Sequence, residues 1–514
     1  MKPISRRSFL LSVGAAASAT LLLSRSPLLA AAEPAGLASR LAADPLRPQF
    51  HLLPAANWMN DPNGPIFLNG VYHMFFQYNP NASVWGDMHW AHATSADMVH
   101  WKHQPIAIVP TPGGYDQDGV FSGCIVMDGS LPTAIYTGVR ATANKADATL
   151  LDGLHVFQET QGLAVSHDNL QTWQKTAAPI IERPPAGMAI TGFRDPCVWR
   201  EGNNWMLALG SGVPKKGGAI LLYRSPDLHH WTYLHPLLEG VSKGSDAINP
   251  VDAGDMWECP DFFPLGDRHV LLISTMGKVF WKSGKYADGR FTPEREGTVD
   301  FGSYYAARTM LDRNRKRILW GWIPETRPEA EHRAAGWACA MSLPRVLSLS
   351  PEGDLRMQVA GEVDALRGSH TRLESAMSTV ARQKTLAALR IRDLSAELRL
   401  ECMPEPGREF AFELRDENDE PFASVAYNPA KSGRELRINK TFAALPVAAG
   451  KPVHLRLFID GSVLELFANS QSSITERVYT APKSALKISL SDPAQLKSLD
   501  CWQIRPISKD RLTT

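Results

Sequence analysis

The sequence predicts an all-β protein: a propeller of small antiparallel sheets followed by a C-terminal β-sandwich. Three observations carry this. Turn formers and aromatics are dense, with 38 Gly, 37 Pro and 14 Trp in 514 residues, a composition of many short strands rather than long helices. A Ser-x-Asp-x-x-x-Trp unit recurs as Ser95 to Trp101, as Ser225 to Trp231 and, with one extra residue, as Ser166 to Trp173. From about residue 370 the chain alternates apolar and polar residues strictly, the pattern of an antiparallel sheet with one buried face.

In chain order, residues 1–32 read as a twin-arginine signal peptide. Ser5-Arg6-Arg7-Ser8-Phe9-Leu10 precedes an apolar run from Leu10 to Leu23, and Ala30-Ala31-Ala32 offers a cleavage site. The run is too short and too rich in Ala and Ser for a membrane span. The expected location is periplasmic or extracellular, with no membrane attachment after cleavage. Twin-arginine export moves folded proteins, so the fold should not depend on disulfides. Residues 33–47 read as an Ala-rich leader with little structure.

Residues 48–350 read as the propeller. Val71 to Tyr78 is a strong strand opened by an Asn69-Gly70 hairpin turn. The Ser/Asp/Trp units, roughly fifty to seventy residues apart, mark successive blades, each too small to bury both faces alone. Their acids and tryptophans are expected in turns and between blades rather than on a ligand. Residues 351–372 read as a linker, with a short helix over 363–367, and residues 373–510 as the sandwich. Ala396 to Glu401 alternates, and Leu455–Ile459 with Ser462–Phe467 flank an Asp460-Gly461 turn as a hairpin.

Lys and Arg number 54 against 53 Asp and Glu, a net charge of +1. That balance offers nucleic acid nothing to bind and suits a neutral substrate. The six cysteines (124, 197, 259, 339, 402 and 501) are far apart, without metal-ligand spacing. They read as small buried side chains, with Cys259 near any site only because it follows Glu258. No metal or cofactor is implied.

Three acids stand out by their surroundings. Asp61 lies in Trp58-Met59-Asn60-Asp61-Pro62-Asn63-Gly64, Asp195 in Phe193-Arg194-Asp195-Pro196, and Glu258 in Trp257-Glu258-Cys259-Pro260. Each is followed within two residues by a proline, which favours extended geometry before it and fixes the direction of the chain. Glycosidic cleavage commonly takes two carboxyl groups, one protonating the leaving oxygen and one attacking the sugar carbon. The attacking group needs donors around it, and Asp61 sits between Asn60 and Asn63. The proton donor needs burial or a neighbouring anion, and Glu258 follows Trp257. Asp195, beside Arg194, is expected to stay charged, bind hydroxyls and stabilise positive charge on the sugar. A bell-shaped pH profile follows from two acids in opposite protonation states.

From about 48 to 505 the chain resembles glycoside hydrolase family 32, the β-fructosidases (invertases, inulinases, levanases). The resemblance rests on the three acid motifs together with Phe75-Phe76-Gln77-Tyr78-Asn79-Pro80, Val84-Trp85-Gly86, Gly119-Val120-Phe121-Ser122-Gly123, Tyr304-Tyr305-Ala306, Gly321-Trp322 and Gly336-Trp337, in order. It implies a five-bladed propeller with a C-terminal β-sandwich. It also implies retention through a fructosyl-enzyme, with Asp61 as nucleophile, Glu258 as acid/base and Asp195 as transition-state stabiliser. Asn60, Gln77, Trp85, Phe121, Ser122 and Arg194 carry over as pocket wall. Tyr305, Trp322 and Trp337 stand open between wall and core. Cys124 replaces a serine common in the family, which touches one adjacent polar contact.

The implied reaction is hydrolysis of terminal β-fructofuranosyl units from sucrose, inulin or levan. A fructosyltransferase on the same scaffold would share the intermediate, and a fructan-binding protein without catalysis would not need all three acids.

Overall fold

The computed structural model describes residues 35–513, so the segment expected to be a signal peptide, with its expected cleavage site, lies outside the described residues. Five antiparallel sheets of four principal strands follow one another along the chain. Their innermost strands are Asn57–Leu68, Gly119–Asp128, Phe193–Glu201, Glu258–Leu265 and Tyr305–Leu311, taken here as opening blades 1 to 5. The inner strand of blade 1 touches those of blades 2 and 5, and 2 meets 3, 3 meets 4 and 4 meets 5, so the ring is closed. Apolar clusters lie between neighbouring blades, such as Phe193, Leu207, Leu221 and Tyr223 of blade 3 on Ile135 and Leu163 of blade 2.

The recurring Ser/Asp/Trp units close the turns before the outermost strands. Asp97 Oδ1 accepts hydrogen bonds from the backbone N–H of Val99 and His100 at 3.0 and 2.8 Å. Asp227 does the same for His229 and His230, and Asp168 for Gln171 and Thr172. Their tryptophans turn inward: Trp101 of blade 1 meets Trp320 of blade 5, and Trp173 of blade 2 meets Phe75 of blade 1.

All five inner strands carry a β-bulge near their start. The register slips between Met59 and Pro62, Val120 and Gly123, Arg194 and Cys197, Glu258 and Asp261, and Tyr305 and Arg308. A bulge bends the strand and re-aims a side chain. Asp195, Cys259 and Ala306 take left-handed φ values of 66°, 48° and 51° inside theirs. Pro196 and Pro260 fall inside these irregular steps, where a missing N–H costs no ladder bond, and Pro62 ends the first of them opposite Phe76.

A short stitch joins the last blade to the first. Trp337 and Ala338 pair in parallel with Asn57 and Trp58 of blade 1. Ala340 and Met341, three residues on, pair antiparallel with Ile323 and Trp322 of blade 5.

Two expectations change here. The segment read as an unstructured leader contains a helix, Ala35–Ala43. Its Leu41 is buried with Leu53, Ile323, Trp337 and Val463, so the helix wedges between propeller and sandwich. The segment read as a linker is mostly sheet. Leu355–Val359 pairs with Arg345–Leu349 to complete blade 5, Gly361–Leu366 is a 3-10 turn, and Arg367–Glu374 is already the first strand of the sandwich.

The sandwich stacks a six-stranded sheet on a five-stranded one around its own apolar core. Against the propeller it buries a charged network. His51 Nδ1 lies 2.7 Å from Asp460 and its Nε2 2.9 Å from Glu465. Arg345 bonds Glu465 and stands 3.0 Å from Asp300, all without solvent exposure.

Candidate active site

The bulges of blades 1 to 4, with Trp322 of blade 5, bring side chains together around one pocket that opens to solvent. Asp61, Asp195 and Glu258 all line it, together with Gln77, Trp85, Phe121, Ser122, Arg194 and Trp322. The three acids are 4, 3 and 2 % exposed.

Asp61 is held by a closed set of amides and hydroxyls. Trp58 Nε1 donates to Asn60 Oδ1 at 2.9 Å. Asn60 Nδ2 donates to Asp61 Oδ1 at 3.1 Å and to Gln77 Oε1 at 2.7 Å. Gln77 donates to Ser122 Oγ at 2.8 Å, and that hydroxyl donates to Asp61 Oδ2 at 2.6 Å. Each member is bonded to the next, so the carboxylate is aimed before any substrate arrives. Asn60, fully buried, acts behind Asp61 rather than as wall.

Glu258 is gripped on both oxygens. Arg194 Nε and Nη2 donate to Oε1 at 3.1 and 2.9 Å, and Tyr305 donates its hydroxyl to Oε2 at 2.7 Å. Arg194 is itself fixed from behind. Its Nη1 donates to Glu159 Oε1 at 2.8 Å, and Glu159 Oε2 accepts from Phe193 N and Thr149 Oγ1. Burial opposes the Arg194 charge, but Glu159 and Glu258 overcome it and hold the guanidinium firmly protonated.

Asp195 departs from expectation. Arg194 gives its fork to Glu159 and Glu258, and its Nε stands 4.0 Å from Asp195 Oδ2. Burial pushes the Asp195 carboxyl well above the ordinary carboxylate range, against the pull of Arg194 and with the push of Glu258 and Asp61. Its steadying contacts are instead the Cys259 N–H at 2.9 Å on Oδ2 and its own N–H on Thr137.

Cys259 is more than the neighbour of Glu258. Its thiol lies 3.4 Å from Asp61 Oδ2 and 3.5 Å from Asp195 Oδ2. Burial, then Asp195 and Asp61, push this thiol far above its usual pKa, so it stays a neutral donor between the two acids.

Of the aromatics left open, Trp322 lines the pocket and Tyr305 touches Glu258. Trp337 does not reach the site. It is 1 % exposed, its Nε1 donates to Asp44, and Arg327 covers its ring. Its conspicuous sequence setting belongs to the stitch, not to the pocket.

Sequence reasoning missed Glu159, Thr137 and the pocket-lining residues Leu150, Asp152, His155, Asn249 and Val251. None belongs to one of the three acid motifs, and Asn249 and Val251, though they flank Pro250, carry no carboxyl group to mark them. Glu159 was detectable only as a carboxylate inside the otherwise apolar and neutral-polar strand Val156–Val165.

Replacing Glu159 by Gln keeps the shape and removes the charge behind Arg194. A hydrogen bond to a charged group contributes about 1.5–3 kcal/mol, so kcat/KM should fall roughly ten- to a hundredfold. Steady-state kinetics beside a melting curve within a few degrees of wild type checks this.

The model for the N-terminal domain of glycosyl hydrolases family 32 matches residues 51–358, and that for the C-terminal domain matches 362–503. A sucrose-6-phosphate hydrolase of Escherichia coli is 34% identical over 466 residues, 85% of this chain and 90% of that protein. An acid β-fructofuranosidase of Vigna radiata is 30% identical, covering 89% of this chain and 80% of that one. Among solved structures, a GH32 β-fructofuranosidase of Bombyx mori superposes with a TM-score of 0.74 at 27% identity, over 90% of this chain and 95% of that one.

Proposed function

The chain belongs to glycosyl hydrolase family 32, and we propose that it is an exported, retaining β-fructofuranosidase that removes terminal β-D-fructofuranosyl units from sucrose, inulin or levan. It is a glycoside hydrolase of β-fructosides. The observation that carries the finer reading is the meeting of three buried acids from three different blades in one pocket, two of them sharing the Cys259 thiol.

In the proposed mechanism the Asp61 carboxylate attacks the anomeric carbon. The bond to the leaving oxygen breaks, its electron pair stays on that oxygen, and Glu258 supplies the proton. A fructosyl ester on Asp61 results. Water then attacks the same carbon, gives a proton to Glu258, and Asp61 departs with its electrons. Arg194 and Tyr305 fix Glu258 while its charge changes. Asp195 stands where positive charge develops on the ring, and its raised pKa leaves it sensitive to a substrate that displaces water and donates hydroxyl hydrogen bonds.

Export by the twin-arginine route is supported by the Arg6-Arg7 signal and by six buried cysteines free of disulfides, since folding needs no oxidant outside the cytoplasm.

Turnover in the presence of methanol tests retention: methyl β-D-fructofuranoside is the expected product, and the α-anomer would overturn it. Chromatography on sucrose, inulin and levan over time reads the substrate, and chain-lengthened sugars at high sucrose would favour transfer over hydrolysis. Glu258→Ala should lower sucrose turnover by about 10³-fold, the scale of general acid catalysis. It should spare the first step with β-D-fructofuranosyl fluoride, whose leaving group needs no proton. Near-normal sucrose turnover would remove Glu258 from the acid role.

A further inference from the structure

Beyond the three acids, one side of the pocket is built by two loops that no acid motif includes. One joins strands Leu131–Ala141 and Val156–Val165 of blade 2; the other leads from blade 3 to the short helix Pro250–Ala253. They touch at Gly153, φ 90°, where a β-carbon would meet Ile248 Cγ2 at 3.0 Å. Together they place Asp152, His155 and Asn249 on the pocket lining.

His155 stands where this side meets the aromatic wall. Its ring centroid is 5.0 Å from that of Trp85, and Trp85 meets Phe121 edge-on at 5.7 Å. Asp152 fixes the ring from the other side. Its Oδ2 accepts from His155 Nδ1 at 3.0 Å while its Oδ1 accepts from the N–H groups of Leu154 and His155. Burial works against the Asp152 charge, but the His155 ring and those N–H groups hold its carboxyl down at about 2. With the proton placed on Nδ1, Nε2 has no protein partner among the described residues and is free for a hydroxyl. Asn249 spends its Oδ1 on the Val251 N–H and keeps its amide hydrogens as donors.

Charge decides what this side accepts. Four lining residues are acids, Asp61, Asp152, Asp195 and Glu258, and no lysine lines the pocket. The single lining arginine, Arg194, is committed to Glu159 and Glu258. Lys243, on the second loop, rests its Nζ on Met276 Sδ at 3.7 Å and is not part of the lining. A phosphate needs an unspent arginine or lysine, and here it would face carboxylates. The same two loops carry exposed Leu151, Leu154 and Ile248 beside the lining residues Asp152, His155 and Asn249, side chains that suit the C–H faces of an uncharged sugar.

We infer that His155, fixed by Asp152 against Trp85, selects the leaving group, and that it selects an uncharged sugar over a sugar phosphate. This rests on the β-fructosidase reading above. The fructosyl unit is common to all substrates, so the choice is made on the far side of the scissile bond.

The test compares sucrose, sucrose phosphorylated on its glucose, and β-D-fructofuranosyl fluoride, whose leaving group never meets His155. Wild-type enzyme should prefer sucrose to its phosphate by about a hundredfold or more in kcat/KM, the scale set by an unpaired charge in a pocket of like sign. His155→Ala should lower kcat/KM for sucrose about tenfold, chiefly through KM, the value of one lost hydrogen bond with its stacking, and leave the fluoride within about twofold. His155→Gln, which keeps a polar head, should recover part of the sucrose loss. Equal loss on sucrose and fluoride in both variants would make His155 a general support and overturn the inference. So would wild-type turnover of the phosphate that matches sucrose. Failure of wild-type enzyme on the fluoride as well as on sucrose would instead remove the β-fructosidase reading, and the inference with it.

Discussion

Asp61→Ala should lose about four orders of magnitude in kcat/KM on sucrose while melting within a few degrees of wild type. Removing a nucleophile typically leaves only the contribution of binding and electrostatics, and 10⁴ in rate corresponds to about 5 kcal/mol. The fold should persist because the partners of Asp61 are tied to one another: Asn60 remains bonded to Trp58 and Gln77, and Ser122 to Gln77. Two readouts check it, turnover against an unchanged melting curve, and mass spectrometry of wild-type enzyme quenched during turnover. The wild type should gain the mass of one fructosyl unit on the peptide carrying Asp61, and the variant none. A variant that keeps a tenth of the activity would take the nucleophile elsewhere.

The second large effect lies far from the pocket. Glu465→Ala should destabilise the protein by about 3–5 kcal/mol, the cost of leaving buried charges unpaired. It removes the carboxylate that Arg345 and His51 share and frees the Leu343 N–H that now donates to it at 2.7 Å. The network also sets a pH window. His51 offers both ring nitrogens to carboxylates, so it must be doubly protonated. Burial opposes that charge, yet Asp460 and Glu465 raise it from 6.5 to about 9. A raised folded pKa gives stability that is full below 6.5 and fades as pH climbs through about 9. Glu465 behaves oppositely: burial resists its charge, but Arg345 and His51 bring it down to about 2, so its contribution is full above 4.5 and fades as pH drops through about 2. Stability from this network should therefore be greatest between about 4.5 and 6.5. Denaturant midpoints across pH should show a plateau there in the wild type and a flatter curve in Glu465→Ala.

Much of this architecture was legible in the residues, and the gaps have physical reasons. Each proline-flanked acid marked an irregular place in a sheet, because proline tolerates few positions there. But Asp61 was expected at a strand end and lies near a strand start, and the extended geometry expected before Pro196 and Pro260 gives way to left-handed φ at Asp195 and Cys259. The Ser/Asp/Trp units showed blade spacing because a turn and an inter-blade contact are both local demands. What stayed hidden depended on partners remote in sequence. Arg194 was read as the companion of Asp195, its chain neighbour, but its fork faces Glu159 and Glu258 on other blades. The Cys259 thiol looked inert because nothing adjacent in sequence shows that Asp61 and Asp195 lie against it. Trp337 sits in a motif as sharp as any, yet that motif serves strand pairing. The helix Ala35–Ala43 was overlooked since an Ala-rich stretch offers no clue that Ile323 and Val463 await its leucines.

The stitch between the first and last blades ties the opening strand of the ring to residues made near its end. The nucleophile's strand is drawn into place partly by residues 337 and 338, made some 280 positions later than the strand itself. A nascent chain or proteolytic fragment ending short of that point leaves Asn57 and Trp58 without their parallel partners and should turn over sucrose more slowly than the full chain.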